Sequence, residues 1–302
     1  MRTPEEPFVT QDAAWRSFFF TASDGLRLHA RLYPGDGALL PLICLPGLTR
    51  NARDFHALAL ALAGETGRAR PIVAFDYRGR GLSAWDKDWR RYDVLVEAED
   101  VVAGLVAAGI EHGAFVGTSR GGLIIHALAA LRPGLMKAAI LNDIGPRIDG
   151  AGLAQIRAYL ERAPRPKTRA DALAIQRAAA GASFEALSER DWERMVDALY
   201  VEDSMPPVPA YDPALLKTVT GVDLNRPLPE LWRQFAGLGA IPVLAIRGAN
   251  STLLSAATLA EMAQRHPDIE TLTVAGQGHA PLLETGDLPR RIAAFLAKAD
   301  RR

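Results

Sequence analysis

Ser119 stands between glycines in the run Phe115-Val116-Gly117-Thr118-Ser119-Arg120-Gly121-Gly122, a setting suited to nucleophilic chemistry. An apolar β-type run (114–116) precedes it and a helical run (123–131) follows it. A strand that turns sharply into a helix forces the residue at the turn into a strained backbone and presents its side chain above the sheet. Glycines two before and two after the serine remove Cβ atoms that would collide where the chain passes close to itself. A serine hydroxyl needs a base to take its proton. Gly276-Gln277-Gly278-His279-Ala280-Pro281 supplies one: a histidine in a glycine-flanked loop after the last strand, able to carry its imidazole back over the sheet's carboxyl end. The other histidines, His29, His56, His112, His126 and His266, read as surface or core residues with ordinary partners. Acyl transfer also requires backbone N–H groups that converge on the developing oxyanion. The loop Leu45-Pro46-Gly47-Leu48-Thr49-Arg50-Asn51 follows the third strand, although Pro46-Gly47 alone would pass for a plain turn. The N–H of Leu48 and that of Arg120, which follows the serine and heads its helix, are the expected donors.

The elements that must hold these residues alternate in type. Two antiparallel strands come first, 15–21 and 26–33, with Asp24-Gly25 as the turn between them. Buried strands follow at 41–45, 72–75, 114–116 and 138–141, separated by helical patterns at 51–63, 92–108 and 123–131. Short β-rich runs that alternate with helices predict an α/β fold, a mostly parallel central sheet with helices on both faces. Across 146–240 strand patterns vanish and amphipathic pieces take over (153–160, 169–179, 191–200, 228–235), punctuated by prolines. A single crossover needs far fewer residues, so this span reads as a helical cap inserted over the carboxyl edge of the sheet. Strands 242–246 and 271–274 and helices 256–266 and 288–299 resume the pattern. The expected division is a core of residues 1–145 and 241–302 with a cap of 146–240. Trp192, Met195, Trp232 and Phe235 are the candidates to line an apolar pocket under it, although aromatics at helical spacing more often pack in a core.

Composition bounds the function classes. The chain has 302 residues, 49% of them hydrophobic and 23% charged, as in ordinary globular proteins. Lys+Arg and Asp+Glu number 35 each, so no net field argues for nucleic acid or an anionic membrane surface. The start Met1-Arg2-Thr3-Pro4-Glu5-Glu6-Pro7 carries acids and prolines where a secretory signal needs an apolar stretch. The single cysteine, Cys44, excludes an internal disulfide and lies in an apolar strand-like run. No metal-ligand spacing is present, and no metal or cofactor is expected. These features point to a cytoplasmic protein with a small-molecule partner, neither nucleic acid nor membrane, of open oligomeric state.

Four ordered motifs then resemble the α/β-hydrolase superfamily, in particular its small capped esterases and lactonases of the enol-lactonase and haloperoxidase-like kind. They are Leu45-Pro46-Gly47-Leu48, Asp76-Tyr77-Arg78-Gly79-Arg80-Gly81-Leu82-Ser83, Gly117-Thr118-Ser119-Arg120-Gly121-Gly122 and Gly278-His279. The resemblance covers the chain from about Phe18 to the last helix. It implies structural pairing for Asp76 and Arg78, and a catalytic triad in which Ser119 attacks an ester or lactone carbonyl with His279 as base. Dehalogenase and epoxide-hydrolase branches place an aspartate where Ser119 stands. The chain departs from the family at the triad acid, which belongs in the loop after the strand at 241–247. That loop, Gly248-Ala249-Asn250-Ser251-Thr252-Leu253-Leu254-Ser255, holds no carboxylate, and Thr252 stands at the usual position. Some members keep the acid one strand earlier, where this chain has Asp143. Either Asp143 serves, or the triad is impaired; Glu284 follows the histidine closely and is a weaker candidate. Two rival functions remain: a lyase, perhydrolase or carbon–carbon bond hydrolase on the same fold, and a ligand-binding homologue with little turnover, which the missing acid at Thr252 would favour.

Overall fold

The computed structural model describes residues 14–162, 164–223 and 226–301. The stretch Met1 to Pro7, where no secretory signal is expected, lies outside the described residues. Eight strands form one sheet: β1 (Arg16–Thr21), β2 (Arg27–Tyr33), β3 (Leu42–Leu45), β4 (Ile72–Asp76), β5 (Gly113–Thr118), β6 (Met136–Asn142), β7 (Val243–Gly248) and β8 (Ile269–Val274). Their spatial order is β1-β2-β4-β3-β5-β6-β7-β8. β2 pairs antiparallel with both β1 and β4, and every later pairing is parallel. The α/β sheet inferred from the alternating pattern is therefore present, with its antiparallel start. β3, β4 and β5 are covered on both faces, which is why their sequences, such as Leu42-Ile43-Cys44-Leu45, run apolar without alternation.

α1 (His56–Thr66) and α10 (Leu288–Ala299) cover one face, where Leu58, Leu62, Ile292 and Phe295 pack on Leu42, Ala74 and Ile140. α2 (Val94–Ala107), α3 (Arg120–Leu131) and α9 (Ala256–Arg265) cover the other, where Val101, Leu105, Ile124, Leu128 and Met262 meet Val73, Phe75, Phe115 and Ala139. Burial of each such side chain stabilises the fold by about 1.5–3 kcal/mol before chain entropy is subtracted. Cys44 is buried in this core, and burial pushes its thiol well above the ordinary range.

Between β6 and β7 lie α4 (Gly150–Arg162), α5 (Arg169–Ala180), α6 (Glu189–Leu199) and two short helices, α7 (Lys217–Thr220) and α8 (Trp232–Ala236). α5 and α6 each begin with a reciprocal capping box, Thr168 with Asp171 and Ser188 with Asp191, which explains why these weakly apolar segments start where they do. The helix expected over 228–235 shrinks to α8, because Pro229 removes a donor and the chain bends so that Leu231 N–H reaches Pro146 O (2.7 Å). Among the described residues no helix is long and apolar enough to cross a membrane.

The parallel strands all end at one edge. β3 has β4 on one side and β5 on the other, so the connections leaving β3 and β5 part there and open a crevice beyond the strand ends.

Candidate active site

Ser119 follows β5 and heads α3 with φ 52° and ψ −112°. Its amide donates to Asn142 O (3.0 Å), which ties the turn to the end of β6. A serine at a helix N-cap ordinarily accepts a bond from the first turn; Ser119 makes no such bond. Its Oγ lies 2.8 Å from His279 Nε2 instead. The turn is possible because Gly117 and Gly121 almost touch: a Cβ on Gly117 would lie 2.5 Å from the Gly121 carbonyl carbon, and one on Gly121 would lie 2.1 Å from Leu45 O.

His279 sits in the loop after β8, and its Nδ1 is 2.7 Å from Asp143 Oδ2. With Nδ1–H donating to the carboxylate, Nε2 is left as the acceptor for the Ser119 hydroxyl. Asp143 follows β6, is fully buried and has φ 54°. Its Oδ1 accepts from Gly248 N–H (2.8 Å) and its Oδ2 from the Ser251 hydroxyl. The loop after β7 therefore holds donors for Asp143 in place of a carboxylate of its own. Thr252 turns the other way, and its hydroxyl donates to Gln155 Oε1 of α4 (2.7 Å). Asn142, which sequence inspection did not single out, braces the same edge: its Nδ2 donates to Thr118 Oγ1 (3.0 Å) and to Pro281 O (3.0 Å). Only its place at the end of β6, beside Asp143, could have pointed to it.

The loop after β3 comes close to Ser119, since a Cβ on Gly47 would be 4.0 Å from Ser119 Cβ, and Gly47 and Leu48 line the same cavity. The amide N–H groups of Leu48 and Arg120 meet no acceptor among the described residues. Two unpaired amides beside one hydroxyl, one of them at the positive end of α3, can receive an anionic oxygen.

A second Ser–His–Asp line exists elsewhere. His29 Nδ1 is 2.7 Å from Asp76 Oδ2, and its Nε2 is 3.1 Å from Ser17 Oγ. Ser17 belongs to β1, with no strained turn and no helix N-terminus before it. Asp76 also accepts from Ala52 N–H (2.7 Å) and Leu82 N–H (3.0 Å), so it locks the turns after β3 and β4 together. Arg78 is held by Asp100, Asp24 and Asp86. His126 donates its Nδ1–H to Gly122 O (2.6 Å), and burial pushes its imidazole down to about 4, so it stays neutral.

Ser119, His279, Leu48 and Arg120 line one cavity of about 1070 Å³, whose other wall comes from α4, α5 and α6. Of the four side chains expected there only Met195 is present. Trp192 is buried against Phe184, and it is Phe184 that reaches the cavity. Phe235 is core: its ring packs between His126 and His266, with Trp232 edge-on to it and under the Arg265 guanidinium. Polar residues line the wall as well: Arg50, Tyr159, Arg194 and Glu284, the weaker acid candidate, while the two ring nitrogens of His279 face Asp143 and Ser119. Burial pushes the Glu284 carboxyl up to about 7; Arg194 opposes the shift and Asp54 and Asp191 add to it.

This fold and this arrangement at the strand ends are those of an α/β hydrolase. A model of the family described as alpha/beta hydrolase fold matches residues 41–285, and the chain belongs to that family. It is 34% identical over 252 residues to the 3-hydroxybutyrate-oligomer hydrolase of Cupriavidus necator, covering 80% of this chain and 82% of the relative. It is 27% identical to the 2-(acetamidomethylene)succinate hydrolase of Mesorhizobium japonicum, over 81% of this chain and 82% of that protein. The crystal structure of an alpha/beta hydrolase from Novosphingobium aromaticivorans superposes with a TM-score of 0.86 at 36% identity, covering 95% of this chain and all of that one.

Proposed function

We propose that the protein is a serine hydrolase that cleaves a carboxylic ester or lactone through an acyl-enzyme on Ser119. The observation that carries this reading is the unbroken line Asp143–His279–Ser119, with spacings of 2.7 and 2.8 Å, ending beside two unpaired amides in a large cavity. Ser119 Oγ attacks the carbonyl carbon while its proton passes to His279 Nε2. The carbonyl oxygen becomes an oxyanion held by the N–H groups of Leu48 and Arg120. Asp143 keeps the imidazole in the required tautomer and steadies the imidazolium as its partner charge. His279 then returns the proton to the departing alkoxide. A water, deprotonated by the same nitrogen, attacks the acyl carbon and releases the acid and free Ser119.

Residues 146–240 act as the cap in this reading. Gln176 and Met195 face the cavity, and Asn51 of the loop after β3 donates to Ala198 O (2.7 Å), which fastens α6 over the site. The ligand-binding rival drew its support from Thr252 alone, and the contact of Asp143 with His279 favours the hydrolase reading over it. Oligomers of a hydroxy acid are joined by ester bonds, so the name of the Cupriavidus necator relative fits the same bond type.

Hydrolysis of short-chain p-nitrophenyl esters tests the proposal. Ser119→Ala should abolish both turnover and covalent labelling by a fluorophosphonate probe. Labelling of that variant at the parent level would overturn the assignment.

A further inference from the structure

Behind the two proposed oxyanion donors lies a group of charges that the mechanism above does not use. Glu97 of α2 is wholly buried, as is Arg80, while Arg120 is 11% exposed. Arg80 Nη1 donates to Glu97 Oε1 (2.6 Å), and Arg120 Nε donates to Glu97 Oε2 (2.6 Å). One carboxylate thus joins two guanidinium groups. Each arm continues to an oxyanion residue or its support. Arg80 Nε donates to Leu48 O (2.8 Å), the carbonyl of one donor residue. Arg120 is itself the other donor residue, and its Nη2 also donates to Tyr92 O (2.7 Å), just before α2. Arg80 Nη1 donates further to Arg78 O (2.7 Å), and its Nη2 finds no partner among the described residues.

We infer that Glu97 is the positioning residue of the oxyanion site: through Arg80 and Arg120 it fixes the Leu48 carbonyl and the first turn of α3, so that both amides point at one oxygen. The inference rests on the acyl-transfer reading above and adds to it a third element, α2. Two cations and one anion also leave one net positive charge behind the amides, with the sign that favours an oxyanion in front of them.

Burial opposes the Glu97 charge, but Arg120 and Arg80 together pull the carboxyl below its ordinary range, so it is ionised. Burial likewise lowers Arg80, and Glu97 offsets part of that fall. Stability alone gives little reason for such a group, since well-packed apolar side chains of similar volume commonly do as well as a buried ion cluster. An apolar replacement, however, cannot hold the Leu48 carbonyl and the Arg120 side chain from one point.

The test is Glu97→Gln, which keeps the shape and removes the charge, so that two guanidinium groups face one amide. Activity is read per active site titrated with the fluorophosphonate, which discounts any unfolded fraction. We expect kcat/KM for p-nitrophenyl acetate to fall about 10- to 100-fold, less than or equal to the loss of one oxyanion donor. Affinity for a trifluoromethyl ketone, whose tetrahedral adduct carries the oxyanion, should weaken by the same factor. Should that variant not fold, Glu97→Asp and Arg120→Lys keep every charge but withdraw reach, and the same parallel loss is expected to a smaller degree. Unchanged ketone affinity and unchanged per-site kcat/KM in the folded variants would overturn this inference alone. A parent protein that neither hydrolyses esters nor labels at Ser119 overturns the acyl-transfer reading and this inference with it.

Discussion

Among the described residues only three non-glycine residues take positive φ, and two of them are Ser119 and Asp143. Such conformations cost about 1–3 kcal/mol each and persist where the surroundings over-determine them. Here one places a hydroxyl above the sheet edge, and the other turns a buried carboxylate from the end of β6 towards the loop after β8. Asp143→Asn should therefore lower ester turnover steeply, on the order of 10³–10⁴-fold by analogy with an amide in a serine-protease triad, with folding retained. Thr252→Asp should change turnover by less than about threefold, because that side chain faces Gln155 and not His279. Steady-state kinetics on both variants decides it, and the reverse ranking would return the acid to the loop after β7. Ser119 and His279 are legible in the sequence because glycines within three residues announce each of them, Gly117 and Gly121 for the one and Gly276 and Gly278 for the other. The partner of His279 is not, because a contact across 136 residues is set by which strands lie side by side, and nothing local to Asp143 or Thr252 records that. Asn142 and Glu97 are hidden for the same reason. The Ser17–His29–Asp76 line is the converse case: three suitable residue types in contact, but without the strained turn, the helix end and the cavity that Ser119 has.

At the scale of elements, the strands were the most legible part of the chain. Eight β-type runs bounded by turn residues correspond to eight strands; burial on both faces leaves a continuous apolar signature in β3, β4 and β5, while the outer strands β1 and β8 mix polar and apolar residues. The helices between β6 and β7 were legible in number only roughly. α7 and the turn before it escaped notice, and the aromatics of α6 and α8 proved to be packing residues, because a ring at helical spacing looks alike whether it faces a core or a cavity. What the elements demand of the turn between β5 and α3 is close backbone approach. A methyl group on Gly121 would lie 2.1 Å from Leu45 O and 2.7 Å from Leu45 C, atoms of the neighbouring strand that no rotamer change can move. Gly121→Ala should lower unfolding free energy by about 1–3 kcal/mol and displace Ser119 from His279. Gly134→Ala, where an added Cβ meets nothing within 4 Å, should stay within about 0.5 kcal/mol of the parent. Urea denaturation of the two variants compares them directly, and equal losses would mean that the packing of the turn is not what limits it.

The whole molecule pays for its cavity in buried polar groups, and Glu284 is where that cost can be measured. Its side chain is 10% exposed, with Arg194 Nε 3.7 Å away, too far for a hydrogen bond. Burial raises the carboxyl to about 7 from an ordinary value of 4.5. Between those two values the folded chain holds a proton that the unfolded chain has released, so stability falls as pH rises through that window and levels off above it. That rise corresponds to roughly 3 kcal/mol of stability lost by pH 8, an upper figure that rearrangement of Arg194 would reduce. Glu284→Gln cannot ionise and escapes the loss. Its advantage over the parent should therefore grow by about 2 kcal/mol between pH 5 and pH 8, whatever constant difference the amide itself introduces. Urea titrations at the two pH values measure that growth, and the wild-type midpoint should drop over the same interval while that of the variant moves less. A difference between the two proteins that is the same at both pH values would mean that Glu284 ionises as an exposed carboxylate does. The cavity wall would then be wetter at Arg194 and Glu284 than its burial indicates, and the apolar pocket would be confined to the side formed by Phe184, Met195 and Leu153.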